Sequence, residues 1–198
     1  VNKTAGTVLR ASGSVAGLTF QDFTMTTGDF NANTATTVTI AGNFTHTTGT
    51  FTAGATTNLR GNWTVGSAST FTPGTNTVNF TNGNTQEING TASSLTLYNT
   101  VINKTAGTTL STAGSINTLT TNNLTNTQGI FTAPATLNIN GNYTLTAGAF
   151  NAGAQVNVAG NWSHATGATF TPGTGTITFT NAGTQSVQGT AVSETFYN

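Results

Sequence analysis

The sequence predicts an all-β fold, a single-stranded parallel β-solenoid of about ten coils with roughly 20 residues in each coil. Three observations lead to this prediction. Apolar and polar residues alternate in short runs, glycines and prolines separate those runs, and one motif recurs about every 20 residues. A β-solenoid needs one such set of short strands and bends for every coil. No helical period of 3.6 residues extends beyond a few positions.

The alternating runs are the predicted strands. In Val38-Thr39-Ile40 the two apolar residues point to one side of a strand and the threonine to the other, because side chains alternate with a period of two. The runs Leu137 to Ile139 and Val156 to Val158 repeat this pattern. We therefore expect the apolar residues of these runs to face a common core.

The recurring motif predicts columns of equivalent residues. It reads NFTHTTGTF from Asn43 and NYTLTAGAF from Asn142, with related copies between and beyond them. Stacked coils place equivalent residues above one another, and asparagines at a corner can bond backbone groups and one another. The expected ladders are one of Asn43, Asn62, Asn142 and Asn161, one of Phe44, Trp63, Tyr143 and Trp162, and one of Phe51, Phe71, Phe150 and Phe170.

A longer repeat divides the chain into two units. Residues 71–99 align without gaps on residues 170–198, with 18 of 29 positions identical, and NKTAGT occurs at both Asn2 and Asn103. We expect the units to be residues 1–101 and 102–198, each with five coils, in one continuous solenoid.

The alternative fold is a pair of tandem β-sandwich domains, since about a hundred residues is a normal size for that class. It accounts for the longer repeat but leaves the shorter period unexplained.

Composition excludes several classes of function. Four basic and four acidic side chains give a net charge of zero, so no basic surface is available for nucleic acid or anionic lipid. Near-zero net charge favours self-association. The chain has no cysteine and therefore no disulfide or thiolate site. No apolar run approaches the length of a membrane span, so we expect no membrane insertion.

The recurring Gly-Asn-aromatic-Thr motif, as in Gly42 to Thr45 and Gly61 to Thr64, and the NKTAGT-bearing unit resemble the repetitive surface proteins of bacteria. These include filamentous-haemagglutinin-like adhesins and tandem-repeat fibre proteins. The resemblance covers the whole chain. It implies a right-handed parallel β-helix in an extracellular stalk, fibre or adhesin, and no catalytic residues carry over.

Residues suited to catalysis or metal binding are scarce. Asp22 and Asp29 are the only close pair of acids, and Asp22 is more simply an asparagine-ladder variant. His46 and His164 lie in non-equivalent coils without cysteine or carboxylate neighbours in the sequence, so we expect surface or groove imidazoles and no metal site. We predict no enzymatic activity and no cofactor.

The expected function is that of an extracellular or cell-surface structural protein, a unit of a fibre, stalk or sheath that associates head-to-tail. Matching Asn198 to Asn99 and Val1 to Ile102 leaves two positions unfilled between one copy and the next. The expected partners are other copies and surface glycans, with no nucleic acid. One alternative is an adhesin that binds through its Thr/Asn faces, and a lesser one is an ice-binding solenoid. The expected contact residues are Val1, Asn2, Lys3, Phe196, Tyr197 and Asn198.

Overall fold

The computed structural model describes residues 1–197, and within them every regular element is a short β-strand. The strands are β1 (Val8–Arg10), β2 (Gly17–Phe20), β3 (Phe23–Met25), β4 (Asp29–Asn31), β5 (Thr37–Ile40), β6 (Phe44–Thr52), β7 (Thr56–Leu59), β8 (Trp63–Thr72), β9 (Thr77–Asn82), β10 (Gln86–Gly90), β11 (Ser94–Thr96), β12 (Asn99–Lys104), β13 (Thr109–Thr112), β14 (Thr118–Thr121), β15 (Asn123–Gln128), β16 (Ile130–Thr132), β17 (Thr136–Ile139), β18 (Tyr143–Leu145), β19 (Ala149–Asn151), β20 (Gln155–Val158), β21 (Trp162–His164), β22 (Thr169–Thr171), β23 (Thr176–Phe179) and β24 (Val187–Gly189).

These strands form a β-solenoid of about nine turns with roughly 21 residues per turn, which confirms the predicted fold class. Within residues 1–197 the strands make three sheets, and all strand pairings are parallel between successive coils. The sheets have ten, nine and five strands, and the chain passes from one to another along each coil. The tandem-sandwich alternative is wrong, because sandwich domains are built from antiparallel sheets.

The core is a set of inward columns that follow the period of two. Val38 and Ile40 of β5 are fully buried, while Thr39 between them is partly exposed. In the second half of the chain Leu137 stacks on Val156, and Ile139 on Val158. Each coil therefore covers the apolar side chains of its neighbour, and the stack buries a continuous core.

The two units meet without a break. Strand β12 (Asn99–Lys104) runs across the expected boundary between residues 101 and 102 and pairs with β9 on one side and β15 on the other. We call the pairings of β9 with β12, of β10 with β13 and of β11 with β14 together the repeat junction. The repeat junction is part of one continuous solenoid, and its ladder of paired strands extends through both units.

The repeat junction also shifts the repeat by one face of the solenoid. Val78 lies in the nine-stranded sheet, but its repeat equivalent Ile177 lies in the five-stranded sheet. Four complete turns lead from Val78 to Trp162 in the same column, by way of Thr100, Leu124 and Tyr143. From Trp162 the chain moves on by two more faces to reach Ile177. One repeat therefore fills four and two-thirds turns, where five were expected.

The face shift divides the expected aromatic ladder into two. Phe44 lies opposite Trp63 in the ten-stranded sheet, whereas Tyr143 lies opposite Trp162 in the nine-stranded sheet. Above Trp63 the column continues with Ile88 of the repeat junction. The prediction of a single ladder across both units was wrong in this respect, because the junction turns the second unit by one face.

The expected phenylalanine ladder is divided in the same way, because Phe131 of the second unit is continued by Leu110 and not by Phe71. Phe51 lies opposite Phe71, and Phe150 lies opposite Phe170, with ring centroids 5.6 Å apart in both pairs. The second pair extends downwards to Phe131. Nearly parallel rings at this spacing give offset stacking between coils.

Candidate association edges

The corner asparagines bond the neighbouring coil and not their own backbone. The Asn62 N–H donates to Asn43 Oδ1 at 3.0 Å, and the Asn161 N–H donates to Asn142 Oδ1 at 2.8 Å. Asp22 takes the same role, accepting the Asn43 N–H at 2.6 Å, as expected for a ladder variant. These asparagines are structural, since each satisfies a backbone donor of the next coil.

Both histidines lie inside the solenoid, so the expectation of surface or groove imidazoles was wrong. His46 is fully buried, stacks on Phe44, and has its Nε2 2.9 Å from the Gly49 carbonyl oxygen. Burial lowers the pKa of His46, although the contact with Gly49 opposes this. His164 is also buried, and its Nδ1 lies within hydrogen-bond distance of Glu194, 2.7 Å from Oε2.

The outward Thr/Asn rows are hydrogen-bonded along the solenoid. Asn79 Nδ2 donates to Asn58 Oδ1 at 2.9 Å, and Asn157 Nδ2 donates to Asn138 Oδ1 at 2.8 Å. Near the repeat junction a shallow groove of about 400 Å³ runs over the nine-stranded sheet. Its lining includes Asn99, which accepts a hydrogen bond from Asn123 Nδ2 at 3.0 Å.

A buried polar pair crosses the repeat junction. Lys104 Nζ donates to Gln86 Oε1 at 2.7 Å, and neither side chain is exposed. Gln86 Nε2 in turn donates to the carbonyl oxygens of Leu59 and Gly61, at 3.1 and 2.8 Å. Burial lowers the pKa of the Lys104 amine to about 8. The pair joins a residue of the second unit to the last coils of the first.

At the N-terminal edge the solenoid exposes apolar side chains that its interior buries. We define this edge as residues 1–3 together with β1 and β2. Leu9 is 47% exposed, whereas its repeat equivalent Leu110 is completely buried between β10 and β16. On its other side β1 pairs with β4 in the register in which β13 pairs with β16. The N-terminal edge is therefore the upper half of a repeat junction.

The C-terminal edge shows the complementary half. We define it as β23, Gln185, β24 and residues 193–197. Val187 is 51% exposed, while its equivalent Ile88 is completely buried. Strand β24 lies on Trp162 as β10 lies on Trp63. Unpaired strand edges of this kind are templates for pairing with a further strand.

The residues predicted to mediate association lie at these edges, with one exception. Val1 and Phe196 are partly buried against the core, Asn2 bridges to Thr27, and Lys3 and Tyr197 are exposed. Asn198 lies outside the described residues. Four further residues lie at the edges and were not predicted to do so from the sequence: Leu9, Gln185, Val187 and Glu194. Two of them, Gln185 and Leu9, could have been found from the sequence, because the repeat aligns them with Gln86 and Leu110.

Within residues 1–197 no group of three or more His, Cys, Asp or Glu side chains is placed to hold a metal ion. A helix long and apolar enough to span a membrane is likewise not found in this part of the chain.

Comparison with known proteins finds no matching family model, no matching curated protein and no matching solved structure.

Proposed function

We propose that this protein is an extracellular structural component whose solenoids stack head-to-tail to form a fibre, stalk or sheath. The observation that carries the proposal is the pair of complementary edges. The N-terminal edge repeats the geometry of β13 on β16, and the C-terminal edge repeats that of β10 on β8. In the repeat junction the equivalent strands of the two edges, β13 and β10, are paired with each other. The extracellular location rests on the resemblance to bacterial surface proteins.

Exposed apolar area supports this contact. Leu9 and Val187 are about half exposed at the two edges, and stacking would cover both. Coil stacking also supplies backbone partners to both open strand edges, which a free solenoid leaves to water. The chain carries little charge, so electrostatic repulsion between copies is weak.

Sedimentation velocity over a concentration series tests the proposal. We expect the wild-type chain to form larger species as its concentration rises and Leu9→Lys to remain monomeric, because the lysine charge would be buried between copies. Thr70→Lys is the matched control, since Thr70 is exposed on the side of β8, away from both edges. A wild-type chain that stays monomeric at about millimolar concentration, where contacts as weak as about −4 kcal/mol are populated, would refute head-to-tail stacking.

A second candidate function is glycan binding in the groove near the repeat junction. Asn, Thr and backbone groups line this groove, and such groups can hydrogen-bond sugar hydroxyls. If the groove binds glycans, Thr125→Lys, which changes a lining residue, should abolish the signals on a glycan array. An array without wild-type signals would remove this candidate.

A further inference from the structure

The two halves of the polar pair in the repeat junction recur separately at the two edges. The acceptor half is Gln185. Its Nε2 donates to the carbonyl oxygens of Val158 and Gly160, at 3.0 and 2.6 Å, as Gln86 Nε2 does to the equivalent carbonyls one repeat earlier. Gln185 Oε1 accepts the Asn181 N–H at 3.1 Å, and an amide oxygen has a second lone pair for another donor.

The donor half is Lys3, and the loop that presents it has the conformation found at Lys104. The Thr7 N–H donates to the Thr4 carbonyl at 3.0 Å and the Thr7 hydroxyl donates to it at 2.6 Å. In the loop after Lys104 the equivalent distances, from Thr108 to Thr105, are 3.0 and 2.7 Å. Lys3 is exposed, so its side chain is available to a second molecule.

Backbone spacing around the two lysines is also the same. An added Cβ at Gly28 would lie 2.8 Å from Lys3 Cβ, and one at Gly129 would lie 2.7 Å from Lys104 Cβ. In each case a glycine of the following coil lets the lysine backbone approach closely. The N-terminal edge therefore holds Lys3 in the position in which the junction holds Lys104.

We propose that a second copy of this chain docks on the C-terminal edge in the register of the repeat junction, with its Lys3 donating to Gln185 of the first copy. This inference rests on the proposed function and specifies the partner and the register. By correspondence with the junction, Val1 of the second copy lies opposite Phe179, Leu9 opposite Gln185, and Ala11 opposite Val187. The contact continues the solenoid on all three faces. Because it has the register of the junction, it also repeats the face shift, and each successive repeat is turned by one face.

One residue makes this contact weaker than the junction inside the chain. Glu194 occupies the position of Leu95, which the junction covers with Leu119. In the stacked pair Leu18 of the second copy would cover Glu194, whose Oε1 is already buried without a hydrogen-bond partner. Stacking would remove the remaining exposure of this carboxylate, which carries a desolvation cost. The contact between copies is therefore weaker than the junction, in which Leu119 covers Leu95.

Disulfide trapping tests the register, because the chain has no cysteine of its own. Asn103 lies opposite Thr81 in the junction, which places Asn2 of a second copy opposite Thr180. We expect an equimolar mixture of Asn2→Cys and Thr180→Cys proteins, treated with oxidised glutathione, to form the mixed disulfide. Asn2→Cys with Thr178→Cys is the off-register control, because two residues along a strand moves the Cα atoms beyond disulfide range. The double variant Thr81→Cys/Asn103→Cys should close internally and is the positive control.

The role of Lys3 in the contact is tested by measuring the association constant. We expect Lys3→Met to weaken association about tenfold or more, since a charge-assisted hydrogen bond is lost from a buried site, and its thermal unfolding as a monomer to stay unchanged. Arg10→Met, which removes the exposed cation at the end of β1, is the control and should change association by about twofold at most. If Leu9→Lys abolishes the association of the wild-type chain but neither the cross-link nor the effect of Lys3→Met is seen, the register is overturned and stacking through the N-terminal edge stands. If the wild-type chain does not associate, both proposals are refuted.

Discussion

Lys104 and Gln86 form a buried hydrogen bond of 2.7 Å across the repeat junction. The lysine belongs to the second sequence unit and the glutamine to the last coils of the first. Gln86 is itself held by two backbone carbonyls, so its amide oxygen is aimed at the amine. A buried polar pair is satisfied in one register only, and an apolar core tolerates small shifts more readily. We interpret the pair as the element that specifies the register of the junction.

Lys104 should make the free energy of unfolding depend on pH. Its pKa falls from 10.5 to about 8 in the folded protein because of burial. Between these values the unfolded chain binds more protons, so stability rises with pH, is complete above 10.5 and is lost as pH falls through 8. We expect urea denaturation to give a rising free energy of unfolding from pH 8 to 10, within this window. Lys104→Met should remove that rise. An equal rise in both proteins would contradict the assignment to Lys104.

His46 should contribute to acid destabilisation. Burial lowers its pKa below 6.5, so the unfolded chain takes up the proton first as the solution is acidified. The stability from the neutral imidazole is complete above about 6.5 and is lost as pH falls through the lowered pKa. His46→Val places in this column the residue that Val65 supplies one coil later. We expect the variant to lose less stability than the wild-type chain between pH 7 and 5 in thermal unfolding. Parallel losses in the two proteins would exclude a contribution from His46.

The hydroxyl group of Tyr143 should destabilise the folded protein. It is buried and has no hydrogen-bond partner, and Phe44 occupies the equivalent position of the first unit. Burial, and secondarily the charge of Glu194, raises the pKa of Tyr143 far above its ordinary value. We expect Tyr143→Phe to raise the free energy of unfolding by about 1 kcal/mol and Phe44→Tyr to lower it by about 1–3 kcal/mol, measured by chemical denaturation. A destabilised Tyr143→Phe protein would show that the hydroxyl has a stabilising partner.

Glycines that allow coils to approach closely should not tolerate a methyl group. A Cβ at Gly66 would overlap the Thr47 carbonyl of the coil below, whereas a Cβ at Gly17 meets no atom within 4 Å. Neither residue has a positive φ, so the comparison isolates the effect of space. We expect Gly66→Ala to lower the free energy of unfolding by about 1–3 kcal/mol. Gly17→Ala should be neutral or slightly stabilising, because it restricts the unfolded chain. Equal effects at the two positions would contradict the close coil contact.

The period of two predicted the core well, including residues that the sequence analysis did not place there. His46 follows Phe44 by two residues and Lys104 follows Ile102 by two residues, so alternation alone puts both side chains inside. The residue types argued for the surface, since charged and imidazole groups are usually exposed. Alternation was the stronger signal in both cases.

The face shift could not be predicted from the motif, because equivalent motifs look alike on every face. In the first unit Phe44 and Trp63 stack in one column, and the number of residues between them is the ordinary length of the motif. At the repeat junction the step from Val78 to Thr100 is longer, and the step on to Leu124 is longer again. The extra residues advance the chain along the coil, and only the pairing partners reveal the resulting register.

Helical reconstruction by cryo-electron microscopy of the chain at high concentration tests head-to-tail stacking most directly. Two repeats of four and two-thirds turns, at about 4.8 Å per turn, predict an axial rise of about 45 Å per molecule. The strand spacing should continue unbroken across each boundary between molecules, with each repeat one face further on. Separate rods, or filaments in which like ends meet, would contradict the account.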